Sequence, residues 1–145
     1  MPKMPTSIIN LKLGKGLSFS SEDSNGNKIS VGTPEIDGEE FNGFSPGDMM
    51  LTSLAACSGI DVVTILKKQR QYVTNLEIKV TGTQEKDAPW TWIKAHIEYT
   101  IKGQNLNKKW IKRAIDLSEN KYCSIGSTIT PKCTITSDFV LIEEQ

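Results

Sequence analysis

Apolar and polar residues alternate in short stretches toward both ends of the chain and run at helical spacing between them. Ser7 to Lys15 carries Ile8, Ile9, Leu11 and Leu13, while Leu17–Glu22 and Lys28–Val31 flank Ser24-Asn25-Gly26-Asn27. Asn-Gly supplies the positive φ angles of a tight turn, so the first third is expected as strands with a hairpin. Gly32 to Gly43 holds glycine, proline and four acids and is expected as a loop. Ser45-Pro46-Gly47-Asp48 then carries the signals of a helix start: a serine cap, proline at the first helical position and an acid three residues after the cap. The helix is expected to run to about Gln69, where Lys67, Lys68 and Arg70 suit the negative end of its dipole. It is apolar nearly all round as far as Leu66, the pattern of a helix buried at the centre of a fold.

Beyond it, Tyr72–Gln84 alternates through Leu76, Ile78 and Val80. Trp90–Lys102 puts Ile93, Ala95, Ile97, Tyr99 and Ile101 on one face and Lys94, His96, Glu98, Thr100 and Lys102 on the other, the period-two signature of a strand. Asp87-Ala88-Pro89 is the expected turn between the two. Asn105–Lys121 predicts an amphipathic helix with Trp110, Ala114 and Leu117 beside a row of Ile111, Ile115, Ser118 and Tyr122. Cys133–Ile142 closes the chain as a strand. The order β-β-β-α-β-β-α-β, with strands and helices in segregated runs, predicts an α+β fold of antiparallel sheets in one domain over residues 1–145.

Seventeen lysines and arginines balance seventeen aspartates and glutamates, and there is one histidine. A net charge of zero removes the basic footprint of a nucleic-acid binder and of a polybasic membrane-surface protein. The start of the chain has no apolar core of a signal peptide, and no run reaches about 18 continuous apolar residues, so a cytoplasmic protein without a membrane partner is expected. Three cysteines, an odd number, argue against a disulfide framework in a reducing compartment. Their thiols either fill space or do chemistry.

Cys57 lies midway along the long helix, with Ser53 and Asp61 four residues to either side on the same face. The small residues around it, Gly59 among them, let a ligand or another backbone approach; the plain alternative is a packing notch with an inert thiol. An ionised Asp61 one turn away would raise a thiol's pKa. Cys123 follows the amphipathic helix, and a short helix beginning there would offer N–H groups to a thiolate; filling space beneath a helix end is the alternative. Cys133 reads as core and His96 as an exposed strand residue. With possible ligands at 57, 96, 123 and 133 and no close pair of the kind zinc motifs use, no metal is expected. Gly-x-Ser-x-Gly is absent, Gly14-Lys15-Gly16 is too short for a phosphate loop, and no cofactor is expected.

Two segments carry a family resemblance. The run from Ser45 to Val63, with Ala55-Ala56-Cys57-Ser58-Gly59-Ile60-Asp61-Val62-Val63 at its centre, resembles the central-helix signature of the OsmC/Ohr family, the osmotically inducible and organic-hydroperoxide-resistance proteins. Ala114 to Ser124 resembles the family's second cysteine segment, and Gly103-Gln104-Asn105-Leu106 before it also fits. The similarity spans nearly the whole chain and is greatest to the OsmC-like branch, in which Ile-Asp-Val-Val follows the first cysteine. It implies an intertwined homodimer whose two sheets wrap around central helices, with two active sites at the interface. It further implies that Cys57 attacks an organic hydroperoxide as a thiolate, that the sulfenic acid condenses with Cys123, and that a dithiol, typically lipoyl-linked, resets the disulfide. The alternative is a non-catalytic relative that binds a small apolar ligand or senses oxidants in the same interfacial pocket. Two positions depart from the peroxidase pattern. Gly47 stands where those members have glutamate, with Asp48 about 100° further round the helix. No arginine lies in the N-terminal strands, where Lys15 is the candidate cation, and lysine does not replace arginine in a bidentate site.

Overall fold

In the computed structural model, which describes residues 4–36 and 38–144, alternation and capping act where the sequence places them. The chain divides into two compact units, residues 1–50 and 51–145. In the first, β1 (Asn10–Leu13), β2 (Ser18–Glu22) and β3 (Lys28–Gly32) form an antiparallel three-stranded sheet in the order β1-β2-β3. The β2–β3 turn is built on Asp23, whose carboxylate accepts the N–H groups of Asn25 and Asn27 at 2.9 Å, with Gly26 at φ 84°. The first strand is shorter than its apolar run suggests, and Ile8, Ile9, Leu11 and Leu13 are all exposed.

Helix α1 (Pro46–Lys68) begins as expected, the Ser45 hydroxyl accepting the Asp48 N–H at 3.1 Å, with lysines in its last turn. It buries Leu54, Ser58, Gly59, Val62 and Leu66. The remaining apolar positions are not buried within one chain: Ile60 is 68% exposed and Val63 44%. Within the single chain the helix is therefore not enclosed on all sides. By length and composition α1 also suffices to cross a bilayer, a test that the core helix of a soluble protein passes equally.

The second unit carries the main core. Strands β4 (Tyr72–Gln84) and β5 (Trp92–Gln104) pair antiparallel, and β5 buries Ala95, Ile97, Tyr99, Ile101 and Gly103 in strict alternation. Strand β6 (Thr134–Glu143) lies on the other side of β5 and runs parallel to it, from Lys94↔Thr134 to Gly103↔Glu143. This departs from a wholly antiparallel pair of sheets. The reason is the connection: a parallel neighbour needs a crossover of a dozen or more residues, and the helical segment between β5 and β6 provides it. That segment is α2 (Lys108–Leu117), a π-helical turn (Ser118–Tyr122) and α3 (Ser124–Ile129). The predicted single helix over 105–121 is therefore two elements. Asn107 caps α2 through its side chain on the Lys109 N–H, and the last turn widens into the π form. Ile111, Ala114, Ile115 and Ser118 face inward, as the helical spacing predicts, whereas Trp110 and Tyr122 of the same predicted rows are exposed.

Candidate thiol site

Cys57 and Asp61 stand one turn apart on α1, and Cys123 sits between the π-helical turn and α3. The backbone there is fixed from both sides. The Cys123 N–H donates to the Ser118 carbonyl at 2.7 Å, and the Cys123 sulfur accepts the Gly126 N–H at 3.3 Å. Small residues permit the approach on the other side of α1, where a Cβ on Gly59 would meet the Ile78 Cδ1 at 2.9 Å. The outcome is a cluster in which the sulfurs of Cys57 and Cys123 and a carboxylate oxygen of Asp61 all lie within 4.8 Å of one another. All three cysteines are free thiols.

The two clustered thiols are held unequally. Cys57 is half-buried, Cys123 only 4% exposed. Burial pushes the Cys57 thiol up, but the Ile125 N–H, the Cys123 thiol, the Ser124 hydroxyl and the Ser124 N–H all favour its charged form, and the balance lies below the ordinary 9.0. The Ser124 hydroxyl stands 3.9 Å from the Cys57 sulfur. Cys123 moves the opposite way: burial outweighs the Gly126 N–H, and its own hydrogen bond to Cys57 and the charges of Cys57 and Asp61 add to it, so its thiol is pushed up to about 11. The arrangement favours the charged form on Cys57 and the protonated form on Cys123. Asp61 does raise a thiol, as its charge requires, but that thiol is Cys123. The N–H groups at the start of α3, expected to serve Cys123, mainly favour Cys57.

Beneath the sulfurs runs a buried polar chain. The Ser118 hydroxyl donates to Asp61 Oδ2 at 2.9 Å and lies 3.2 Å from the Ser58 hydroxyl, which is hydrogen-bonded in turn to the Tyr99 hydroxyl. Burial, with the nearby Glu119, Cys123 and Asp61 charges, keeps Tyr99 protonated beyond its usual range. The sequence reading missed Ser58, Ser118 and Tyr99. The available signal was a serine within the apolar row of each helix, which a buried hydroxyl must answer with a partner. Behind Cys123 a cavity of about 140 Å³ is lined by Leu54, Ser58, Ile97, Glu119 and Ile135 among others. Glu119 is pushed up chiefly by burial, and its Oε1 is buried without a partner.

Ser53 is half-buried one turn before Cys57 on α1. Asp48 is exposed in the capped first turn of α1, and Lys15 is exposed between β1 and β2. Both belong to the first unit, whereas Cys57, Asp61 and Cys123 belong to the second. Cys133 is buried core, 1% exposed, as expected. His96 is not a bare surface residue: Nδ1 pairs with Thr136 Oγ1 at 2.7 Å and Nε2 with Asp138 Oδ2 at 3.3 Å, across the β5–β6 pair.

Known proteins share this arrangement of elements. The family described as OsmC-like protein matches residues 37–138. Protein YhfA of Escherichia coli K12 is 32% identical over 132 residues, covering 91% of this chain and 96% of its own length. Among solved structures, a hypothetical protein from Aquifex aeolicus VF5 superposes with a TM-score of 0.87 at 28% identity, covering 98% of this chain and all of its own. The organic hydroperoxide resistance protein OhrB of Bacillus subtilis superposes at 0.65 with 14% identity, over 93% of this chain and 98% of its own, a likeness of fold alone.

Proposed function

The chain belongs to the OsmC-like protein family, and from the thiol pair it carries we propose that it is a thiol-dependent peroxidase of organic hydroperoxides, acting in oxidative-stress defence in the cytoplasm. The observation that carries this reading is the unequal pair, a half-exposed Cys57 favoured as thiolate beside a buried, protonated Cys123. The thiolate is the nucleophile in such chemistry. Its sulfur attacks the O–O bond of ROOH, giving Cys57–SOH and an alkoxide that takes a proton to leave as ROH. The Cys123 thiol then displaces the hydroxyl as water, closing the Cys57–Cys123 disulfide. A dithiol reductant, lipoyl-linked or other, returns both thiols and leaves as its own disulfide. In a chain with no arginine in its N-terminal strands, the N–H groups of Ile125 and Ser124, the Cys123 thiol and the Ser124 hydroxyl are the groups that favour the Cys57 thiolate.

The active form is a homodimer in this proposal. Its support is an open apolar groove of about 770 Å³ between α1 and β4, lined by Ala55, Ala56, Ile60, Val63, Leu76 and Ile78 among others. A second reading, a non-catalytic binder of a small apolar ligand or an oxidant sensor, is favoured by Gly47 in place of the family's glutamate. Turnover separates the two. Reduced protein supplied with a dithiol consumes an alkyl hydroperoxide, and Cys57→Ser abolishes it; unchanged consumption in that variant refutes the peroxidase. Wild-type protein that forms no Cys57–Cys123 disulfide and turns over no faster than free thiol is the result the second reading requires.

A further inference from the structure

We propose that the reduced protein binds one thiophilic divalent cation, of the zinc class, through Cys57, Asp61 and Cys123. The three donor atoms already lie within 4.8 Å of one another. In a tetrahedral zinc site, with sulfur at about 2.3 Å and oxygen at about 2.0–2.2 Å, donors stand about 3.4–3.8 Å apart. The triangle therefore needs to close by about 1.4 Å at most, within reach of side-chain rotation. Two sulfurs and one carboxylate form a donor set suited to zinc and its softer neighbours and poorly suited to magnesium or calcium.

Three further features favour a cation. First, the cluster is short of positive charge: among the described residues, none of the four ion pairs includes Asp61. Two sulfurs and a carboxylate oxygen are thus gathered where none of those ion pairs reaches the carboxylate. Second, Asp61 is held in place from behind. Ser118 donates to its Oδ2 and is itself tied to Ser58 and Tyr99, which leaves carboxylate lone pairs for a ligand bond. Hydrogen bonds of this kind orient metal ligands and strengthen their sites. Third, the half-exposed Cys57 leaves a way in and a fourth position for water, as in three-ligand zinc sites. The thiol protons, chiefly that of Cys123, leave to solvent on binding. The carboxylate supplies the close i, i+4 pair that a search of cysteine and histidine spacing alone does not see. Metal and disulfide exclude each other, so the cation would hold the dithiol reduced.

The test uses metal-free, fully reduced wild-type protein titrated anaerobically with Co²⁺ and then Zn²⁺, with no peroxide present. Expected is one Co²⁺ per chain, with a thiolate-to-cobalt charge-transfer band and the intense visible bands of a tetrahedral site, bleached by Zn²⁺. Cys57→Ser and Cys123→Ser lose the charge-transfer band or weaken it at least about tenfold in affinity, Asp61→Asn weakens affinity at least about tenfold, and Cys133→Ser changes nothing. Oxidising the wild type to the Cys57–Cys123 disulfide removes the site without any substitution, which covers the event that a variant fails to fold. Absence of the band in reduced wild type overturns the proposal. So does its survival after oxidation, or an unchanged affinity in folded Asp61→Asn. Because peroxide turnover is measured separately on metal-free protein, failure of the metal site and failure of the peroxidase are distinguishable.

Discussion

Cys57 and Cys123 differ in which backbone groups reach them more than in their neighbours' identities. The Ile125 and Ser124 N–H groups turn toward Cys57, whereas burial dominates at Cys123. The pH dependence follows with a definite sign. Each thiol is reactive above its own pKa, so carbamidomethylation of Cys57 reaches half its plateau below pH 9, while Cys123 stays protected until about pH 11. Peptide mapping of the modified protein over a pH series measures both. Cys123→Ala removes the S–H that favours the Cys57 thiolate and moves the Cys57 midpoint upward; an unmoved midpoint would show that the pair is not hydrogen-bonded in solution. Half of this site was readable in the sequence. Asp61 four residues from Cys57 follows from helix geometry, and the part of Cys123 followed from family resemblance. The amide donors were not readable in the same way, because an N–H carries no residue identity and its direction is set by where the π-helical turn ends.

Elements were legible in proportion to their pattern. Tyr72–Gln84 and the inward face of β5 agree with their alternation almost residue by residue. The π-helical turn has the same spacing of apolar residues as an α-helix over so short a length, and α3, Ser-Ile-Gly-Ser-Thr-Ile, has a composition poor in helix formers. Strand direction is absent from alternation altogether, hence the unforeseen parallel β6. Close approaches of backbone mark where the elements tolerate least. A Cβ on Gly103 would come within 2.0 Å of the Tyr72 carbonyl oxygen, where β5 meets the irregular start of β4. Gly103→Ala should therefore cost at least about 1–3 kcal/mol, read from the urea midpoint. Gly59→Ala meets only the mobile end of Ile78, and the gain of about 1 kcal/mol in helix propensity offsets the strain, leaving a smaller change.

At the scale of the whole molecule, apolar surface is left uncovered by one chain: Ile60 and Val63 on α1, and Leu11, Leu13 and Ile29 on the first sheet. Hydropathy does not distinguish burial within a chain from burial between chains, so the apolar composition of α1 does not say what covers Ile60 and Val63. In the proposed homodimer, Ile60→Asp should convert dimer to monomer by sedimentation. Because the side chain is exposed in the single chain, it should leave the monomer's unfolding within about 0.5 kcal/mol of wild type. A dimer that survives the substitution would place the interface elsewhere. The parallel return of β6 also has a temporal consequence. Cys57 and the β4–β5 hairpin are synthesised before the crossover that brings in Cys123, and a parallel strand reached through so long a loop closes late. During that interval the nascent chain holds Cys57 without Cys123 and without the amides of Ser124 and Ile125. In the proposed peroxidase an oxidant met then would find an ordinary thiol, and the crossover would set when the chain acquires its reactivity as well as its shape.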